Sequence, residues 1–146
     1  MKLVDSIGIR INYPPGVDQT GEIFLSNAIL CLKQEGGLQG PVKDEWFQNC
    51  GKKFLKPLIQ VVNPKIVVAL GRQAFKAILE AYDIPYALSQ TYRNVVIREG
   101  QSGGKKLPAG PLLFPVYHCG SKIINMTRDM NNQLNDWKHI GQALHT

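Results

Sequence analysis

Cysteine is scarce in this chain: Cys31, Cys50 and Cys119 are the only three in 146 residues, widely spaced and with no CxxC pair. That excludes the disulfide framework of a small secreted domain and fits a reducing cytoplasm, the expected location. The plain reading of each cysteine is a small buried hydrophobe. Acidic residues are also few, 11 against 17 lysines and arginines, for a formal net charge of +6. The resulting pI near 9.3 favours a polyanionic partner without identifying one. No apolar run approaches the roughly 20 residues of a membrane span, so no membrane partner is expected. Residues 1–5 carry no long apolar segment of the secretory kind. The glycine-rich stretch at 34–41 lacks the GKS or GKT ending of a phosphate-binding P-loop. There is no internal repeat and no low-complexity tract.

What remains is an ordinary globular composition, 44% apolar and 19% charged. The length suits one domain with a real core, expected to span residues 1–146. Residues 1–9 read as the last turns of a helix, with Leu3, Val4 and Ile7 on one side and Gly8 stopping it. Proline and glycine at 12–18 mark a loop. Residues 23–30 are short, apolar and bounded by loops, which predicts a strand buried on both faces. From 44 to 62, Phe47, Cys50, Phe54, Leu58 and Val61 recur at helical spacing, and Pro57 predicts a kink. Residues 66–70 predict a second buried strand, and Gly71 turns the chain into a helix over 72–81.

Residues 94–98 read as a short strand on the sheet's margin, 101–106 as a polar loop, and 112–117 as the third core strand. A final helix is expected over 127–144, with Met130, Leu134, Trp137, Ile140 and Leu144 on its inner face. Strands alternating with helices imply parallel strands joined by right-handed crossovers. The expected class is therefore α/β, a three-layer α/β/α sandwich around a small, mostly parallel sheet.

Two polar residues stand out against this frame. His118 follows the apolar run at 112–117, so a strand delivers it to its carboxyl end, where open α/β sheets bind ligands. An imidazole there can donate a hydrogen bond to an oxygen that gains charge as a bond breaks. It can equally satisfy a loop carbonyl. Asn27 lies within another apolar segment, where an unpaired amide costs roughly 1–3 kcal/mol. Either it pairs with nearby backbone or it is held for a ligand. A primary amide sets a donor beside an acceptor and so can match a pyrimidine edge. Beyond His118, Gly120, Ser121, Lys122 and Arg128 suit a DNA phosphate backbone pressed close to the chain. Ile123, Ile124 and Met126 are candidates for an apolar wedge in a base stack, or else simply anchor their loop to the core.

Three stretches now form an ordered set: residues 24–31 (Phe-Leu-Ser-Asn-Ala-Ile-Leu-Cys), residues 63–71 (Asn-Pro-Lys-Ile-Val-Val-Ala-Leu-Gly) and residues 115–118 (Pro-Val-Tyr-His). Together they resemble the uracil-DNA glycosylase superfamily, and are most similar to the branch whose relatives often carry an iron–sulfur cluster. The resemblance covers nearly the whole chain, including residues 2–5 and Cys50. It implies that Asn27 hydrogen-bonds a flipped uracil and that His118 stabilises charge on uracil O2 as the glycosidic bond breaks. It further implies that the Ser121 region pinches the DNA backbone.

The chain departs from the family's pattern in two places. Proline usually follows the histidine, where this sequence has Cys119 and Gly120. The family also opens with a glycine-rich motif whose polar or acidic residue positions the attacking water. Asp5 and Asp18 lie in no such context. The chain is accordingly expected to be N-terminally incomplete, with its first central strand missing. A positioned base contributes about 10²–10⁴ in rate, so weak activity or none is expected. Cys31 and Cys50 match two of four cluster ligands, and two thiolates cannot complete a four-cysteine site. No cofactor is expected, and a cluster only in a longer form using that pair.

The leading expectation is base-excision repair: hydrolysis of the N-glycosidic bond of an extruded uracil, in DNA carrying uracil or another damaged base. The alternatives are a non-catalytic DNA-binding remnant and an α/β interaction domain whose edge strands pair with another polypeptide. The sequence specifies no oligomeric state.

Overall fold

Two short apolar segments set the architecture, because each buries most when a sheet is covered on both faces. In the computed structural model of the chain, described at residues 2–9, 23–30, 42–86, 90–108, 110–118 and 128–146, they are β1 (Ile66–Leu70) and β3 (Leu112–Val116). They pair in parallel, Ile66 opposite Leu112 and Leu70 opposite Val116. A short β2 (Lys105–Lys106) lies antiparallel on the other side of β3, giving the order β1-β3-β2. Parallel pairing requires a long crossover. It is supplied by α4 (Arg72–Ala81) and α5 (Tyr92–Gln101).

The strand period of two then sorts the core. Val67, Ala69 and Leu113 join a cluster with Leu55, Ile59, Phe75, Ile78, Val95 and Val96. Those partners come from α4, α5 and the long helix described below. Ile66, Val68, Leu112, Phe114 and Val116 face a second cluster. It is closed by α1 (Lys2–Asp5), the turn after it that carries Ile7, and α6 (Met130–Leu144). The expected three-layer α/β/α sandwich is what forms, with one antiparallel strand in its described sheet. Pro115 fits inside β3 for a specific reason. The Val116 carbonyl points at β1, where it accepts the Gly71 N–H, so Pro115 points the other way. On that side β2 has already ended, pairing only with Leu112 and Leu113, and no donor is missed. Among the described residues no helix is long and apolar enough to cross a membrane.

The expected helix over 44–62 is continuous, but Pro57 is absorbed without a break. α2 (Asp44–Cys50) passes through a π-helical turn, Gly51–Leu55, into α3 (Lys56–Val62). The Lys56 N–H donates to the Gly51 carbonyl, one residue farther back than in an α-helix. The extra residue rotates everything downstream. The buried side chains become Cys50, Leu55 and Ile59, whereas Phe54 is 52% exposed and Val61 is 84% exposed. The expected inner face of Phe54, Leu58 and Val61 is thus corrected to Leu55 and Ile59. Gly51 sits where this turn meets α4. A Cβ there would lie 3.2 Å from the Ala77 carbonyl oxygen.

Two other expectations change. Residues 23–30 form no strand: the segment is irregular, with Phe24 60% and Leu25 74% exposed. An apolar run states what a segment would gain by burial. It does not guarantee a neighbouring strand, and none of the described strands pairs with this one. Residues 94–98 belong to α5 rather than to a marginal strand. The Thr91 hydroxyl oxygen accepts the Asn94 N–H at 3.4 Å, and Tyr92, Val95, Val96, Glu99 and Gly100 share one buried face. The expected polar loop at 101–106 instead ends α5 and supplies β2. In α6 the Asp129 carboxylate caps the helix by accepting the Asn132 N–H at 2.8 Å. Met130 is 42% exposed, and the buried face runs through Gln133, Asp136, Trp137, Ile140 and Gly141.

The close approach at Gly51 gives a direct test. Gly51→Leu must force the π turn away from the Ala77 backbone, which cannot swing aside as a side chain could. It should lower the unfolding free energy by about 1–3 kcal/mol in urea titrations. An unchanged midpoint and slope would contradict this packing.

Candidate active site

The carboxyl ends of β1 and β3 lie side by side, and both chain exits are built around one carbonyl. The Val116 carbonyl accepts the Gly71 N–H at 2.8 Å and the Tyr92 hydroxyl at 2.9 Å. Gly71, at φ +94°, makes the sharp turn from β1 into α4, a conformation that favours glycine. A Cβ on Gly71 would lie 3.5 Å from the His118 Cβ. His118 therefore stands directly over this turn, two residues beyond β3, with its side chain exposed to solvent. That is where the strand order of the sequence placed it.

Behind His118 lies a polar and aromatic cluster. The Tyr117 ring is tilted against Tyr92 with centroids 5.4 Å apart, and the Arg128 guanidinium carbon lies 5.8 Å from the Tyr117 centroid. Arg128 forms two hydrogen bonds to the Asp136 carboxylate, from Nε at 2.6 Å and from an Nη at 2.5 Å. Its own carbonyl accepts the Gln133 side-chain amide at 2.8 Å. Burial pushes the Tyr92 phenol well above its ordinary range, so it stays a neutral donor to Val116. The hydrogen bonds that Arg128 donates to Asp136 favour its charged form in turn, raising its pKa. At the start of α6 the Asn132 backbone N–H holds the Asp129 carboxyl below the usual range.

The remaining sequence candidates are placed as follows. Asn27 is exposed in the irregular segment 23–30, so the cost of a buried, unpaired amide does not arise. Its own carbonyl accepts a long 3.4 Å bond from the Ser26 hydroxyl. Its neighbour Ala28 packs on the cluster against which Tyr117 also packs, so the stretches bearing Asn27 and His118 share one buried cluster. Arg128 is not a surface cation: it is 6% exposed and its guanidinium is committed to Asp136. Gly120, Ser121 and Lys122 lie outside the described residues, as do Ile123, Ile124, Met126, Cys31 and Cys119.

Sequence reasoning missed Tyr92, Tyr117, Gln133 and Asp136. The available signal was a carboxylate beside Trp137 in the apolar stripe of the last helix. Such a residue faces inward only if a cation waits there.

A shallow depression of about 630 Å³ opens at the opposite, amino ends of β1 and β3, lined in part by Asn63, Lys65, Lys106 and Pro111. Lys65 Nζ already donates to the Leu144 carbonyl there, capping the end of α6. The depression lies across the sheet from His118.

An iron–sulfur cluster of the four-thiolate kind does not fit this chain's residues. It has three cysteines in all. Cys50, 2% exposed, is a core side chain at the junction of α2 and the π turn. Among the described residues no three His, Cys, Asp or Glu side chains converge as a metal site.

An α/β/α sandwich that presents a histidine past the end of its central parallel strand defines a ligand-binding class rather than a single activity. The ordered motifs carry the assignment further. The family model described as the uracil DNA glycosylase superfamily matches residues 3–139, and the chain belongs to that superfamily. No curated protein and no solved structure matches it. Membership carries a uracil-DNA glycosylase-like function in general terms and points to DNA as the polymer bound.

The shared carbonyl sets the testable energetics of this corner. Tyr92→Phe leaves Val116 one donor from Gly71 and removes a single buried hydrogen bond. It should cost about 1 kcal/mol in chemical unfolding. A neutral substitution would mean that the hydroxyl does not hold the strand end.

Proposed function

We propose that this domain excises uracil from DNA by hydrolysing the N-glycosidic bond of an extruded nucleotide, leaving the strand uncut. The single observation that carries the reading is the place of His118, exposed over the Gly71 turn at the carboxyl end of the β1–β3 pair. In this reading the imidazole donates a hydrogen bond to uracil O2. The N1–C1′ bond breaks with its electron pair going to the base, whose charge spreads onto that oxygen. Water supplies hydroxide to C1′, and the released base takes up the remaining proton. Asn27 reads the uracil edge with its amide, accepting from N3–H and donating to a carbonyl. A base must leave the stack to reach such a group, and the net charge of +6 favours the phosphates on either side.

One oxyanion-type donor supplies about 10²–10³ in rate. No described residue is matched to the family's water-positioning group, so turnover should be slow. The reading assigns no cluster or metal to the chain's own residues. The exposed, irregular setting of Asn27 favours a second reading, a DNA-binding module without catalysis.

Release of free uracil from single- and double-stranded uracil DNA separates the two. His118→Ala should slow release by about 10²–10³. Asn27→Ala should weaken the preference for uracil by about 1–3 kcal/mol. Release that neither substitution alters would remove this site. Salt-sensitive DNA binding without any release would establish the second reading.

A further inference from the structure

Arg128 was expected at the DNA surface and is instead buried, which assigns it a different task. We infer that Arg128 and Asp136 form a clasp that positions His118, acting through the ring of Tyr117. The inference rests on the reading of His118 as the group that meets the base.

The chain of contacts is continuous. Asp136 projects from α6 and holds the planar Arg128 guanidinium by two hydrogen bonds, at 2.6 and 2.5 Å. A paired fork of this kind fixes orientation as well as distance. The guanidinium lies 5.8 Å from the Tyr117 centroid, and Tyr92 packs on the same ring at 5.4 Å. Cation–π attraction favours the guanidinium over the ring face. Tyr117 thus meets both Arg128 and Tyr92, and His118 is the next residue. Tyr92 also donates to Val116, so the ring that supports Tyr117 is tied to the last residue of β3. Gln133 closes the arrangement by donating to the Arg128 carbonyl. The two residues that flank 118–127, Tyr117 and Arg128, therefore meet each other against the end of the sheet.

Neither charge is placed to serve the surface: the side chains of Arg128 and Asp136 are 5% and 8% exposed. A buried ion pair is seldom a net gain over apolar packing, and its best-supported use is to specify one arrangement. Here the specified arrangement is that of the residue beside His118. Arg128 and Asp136 are positioning residues. They touch neither base nor sugar.

The chain has three histidines, so the imidazole carbon–proton NMR spectrum resolves His118 from His139 and His145. His145, just past the end of α6, serves as the internal reference. Arg128→Lys keeps the charge and loses the fork. Tyr117→Leu keeps the burial and loses the ring face. Both should shift or broaden the His118 signals while leaving His145 in place and the protein folded. In uracil release both should lower kcat about 10- to 100-fold, as a small misplacement of a reacting group does. KM and the affinity for uracil-free DNA should change little.

Asp136→Glu, which keeps the charge, should partly restore what Asp136→Asn loses. An unmoved His118 in Arg128→Lys, with DNA affinity lowered uniformly and a shallower salt slope, would overturn the clasp and make Arg128 a phosphate contact. The two readings fail separately. If His118→Ala abolishes release but Arg128→Lys leaves the His118 signals unchanged, the clasp is wrong and the site stands. If Arg128→Lys moves His118 but His118→Ala leaves release untouched, the site is wrong and the clasp survives only as geometry.

Discussion

One backbone carbonyl, that of Val116, organises this corner of the molecule. It ends the parallel pairing of β1 with β3 by accepting the Gly71 N–H, and it accepts the buried Tyr92 hydroxyl as well. A carbonyl has two lone pairs, and here both are used. The consequence is that the exit of β1, the exit of β3 and the first turn of α5 share one fixed point. His118 leaves from that point. The imidazole owes its placement to a strand register and a tyrosine.

That dependence explains which parts of the fold were legible in the sequence. The runs Ile66–Leu70 and Leu112–Val116 are short, apolar and bounded by turn residues, and each became a strand at its expected place. Gly71 announced the turn because no other residue is comfortable at that φ. The last helix was legible through Trp137 and Ile140. The failures share a cause. Residues 23–30 look like a strand from within, but a strand is a relation to a neighbour, and sequence does not show the neighbour. Residues 94–98 hold a β-branched run too short to reveal a period, and the deciding signals, Thr91 as cap and Glu99 on the buried face, lie outside it. Past Cys50 the helical period itself is broken by one residue at the π turn, so a correct pattern was read on the wrong face.

The site was legible by position and less so by environment. His118 was placed by the strand that precedes it, and the structure puts it where that strand ends. Asn27 was argued from burial, and its exposure removes that argument without touching its likeness to the family's base-reading asparagine. Arg128 shows how a basic sequence misleads. In a chain with an excess of cations each arginine invites a phosphate, yet this one is balanced by a carboxylate that faces inward from α6. Burying such a pair costs desolvation, which fixed geometry at both ends must offset. A surface cation and a buried one look alike until the partner is placed.

The central claim is that His118 and Asn27 serve a single pyrimidine, although they arrive on separate stretches of chain. The most direct measurement is a titration with a short single-stranded oligonucleotide carrying one uracil. The signals followed are the Asn27 side-chain amide and the His118 imidazole, with the thymine oligonucleotide as control. The account predicts that both signals move together along one binding curve and stay still, or move far less, with thymine. Movement of one without the other, or the same response to both oligonucleotides, would contradict it.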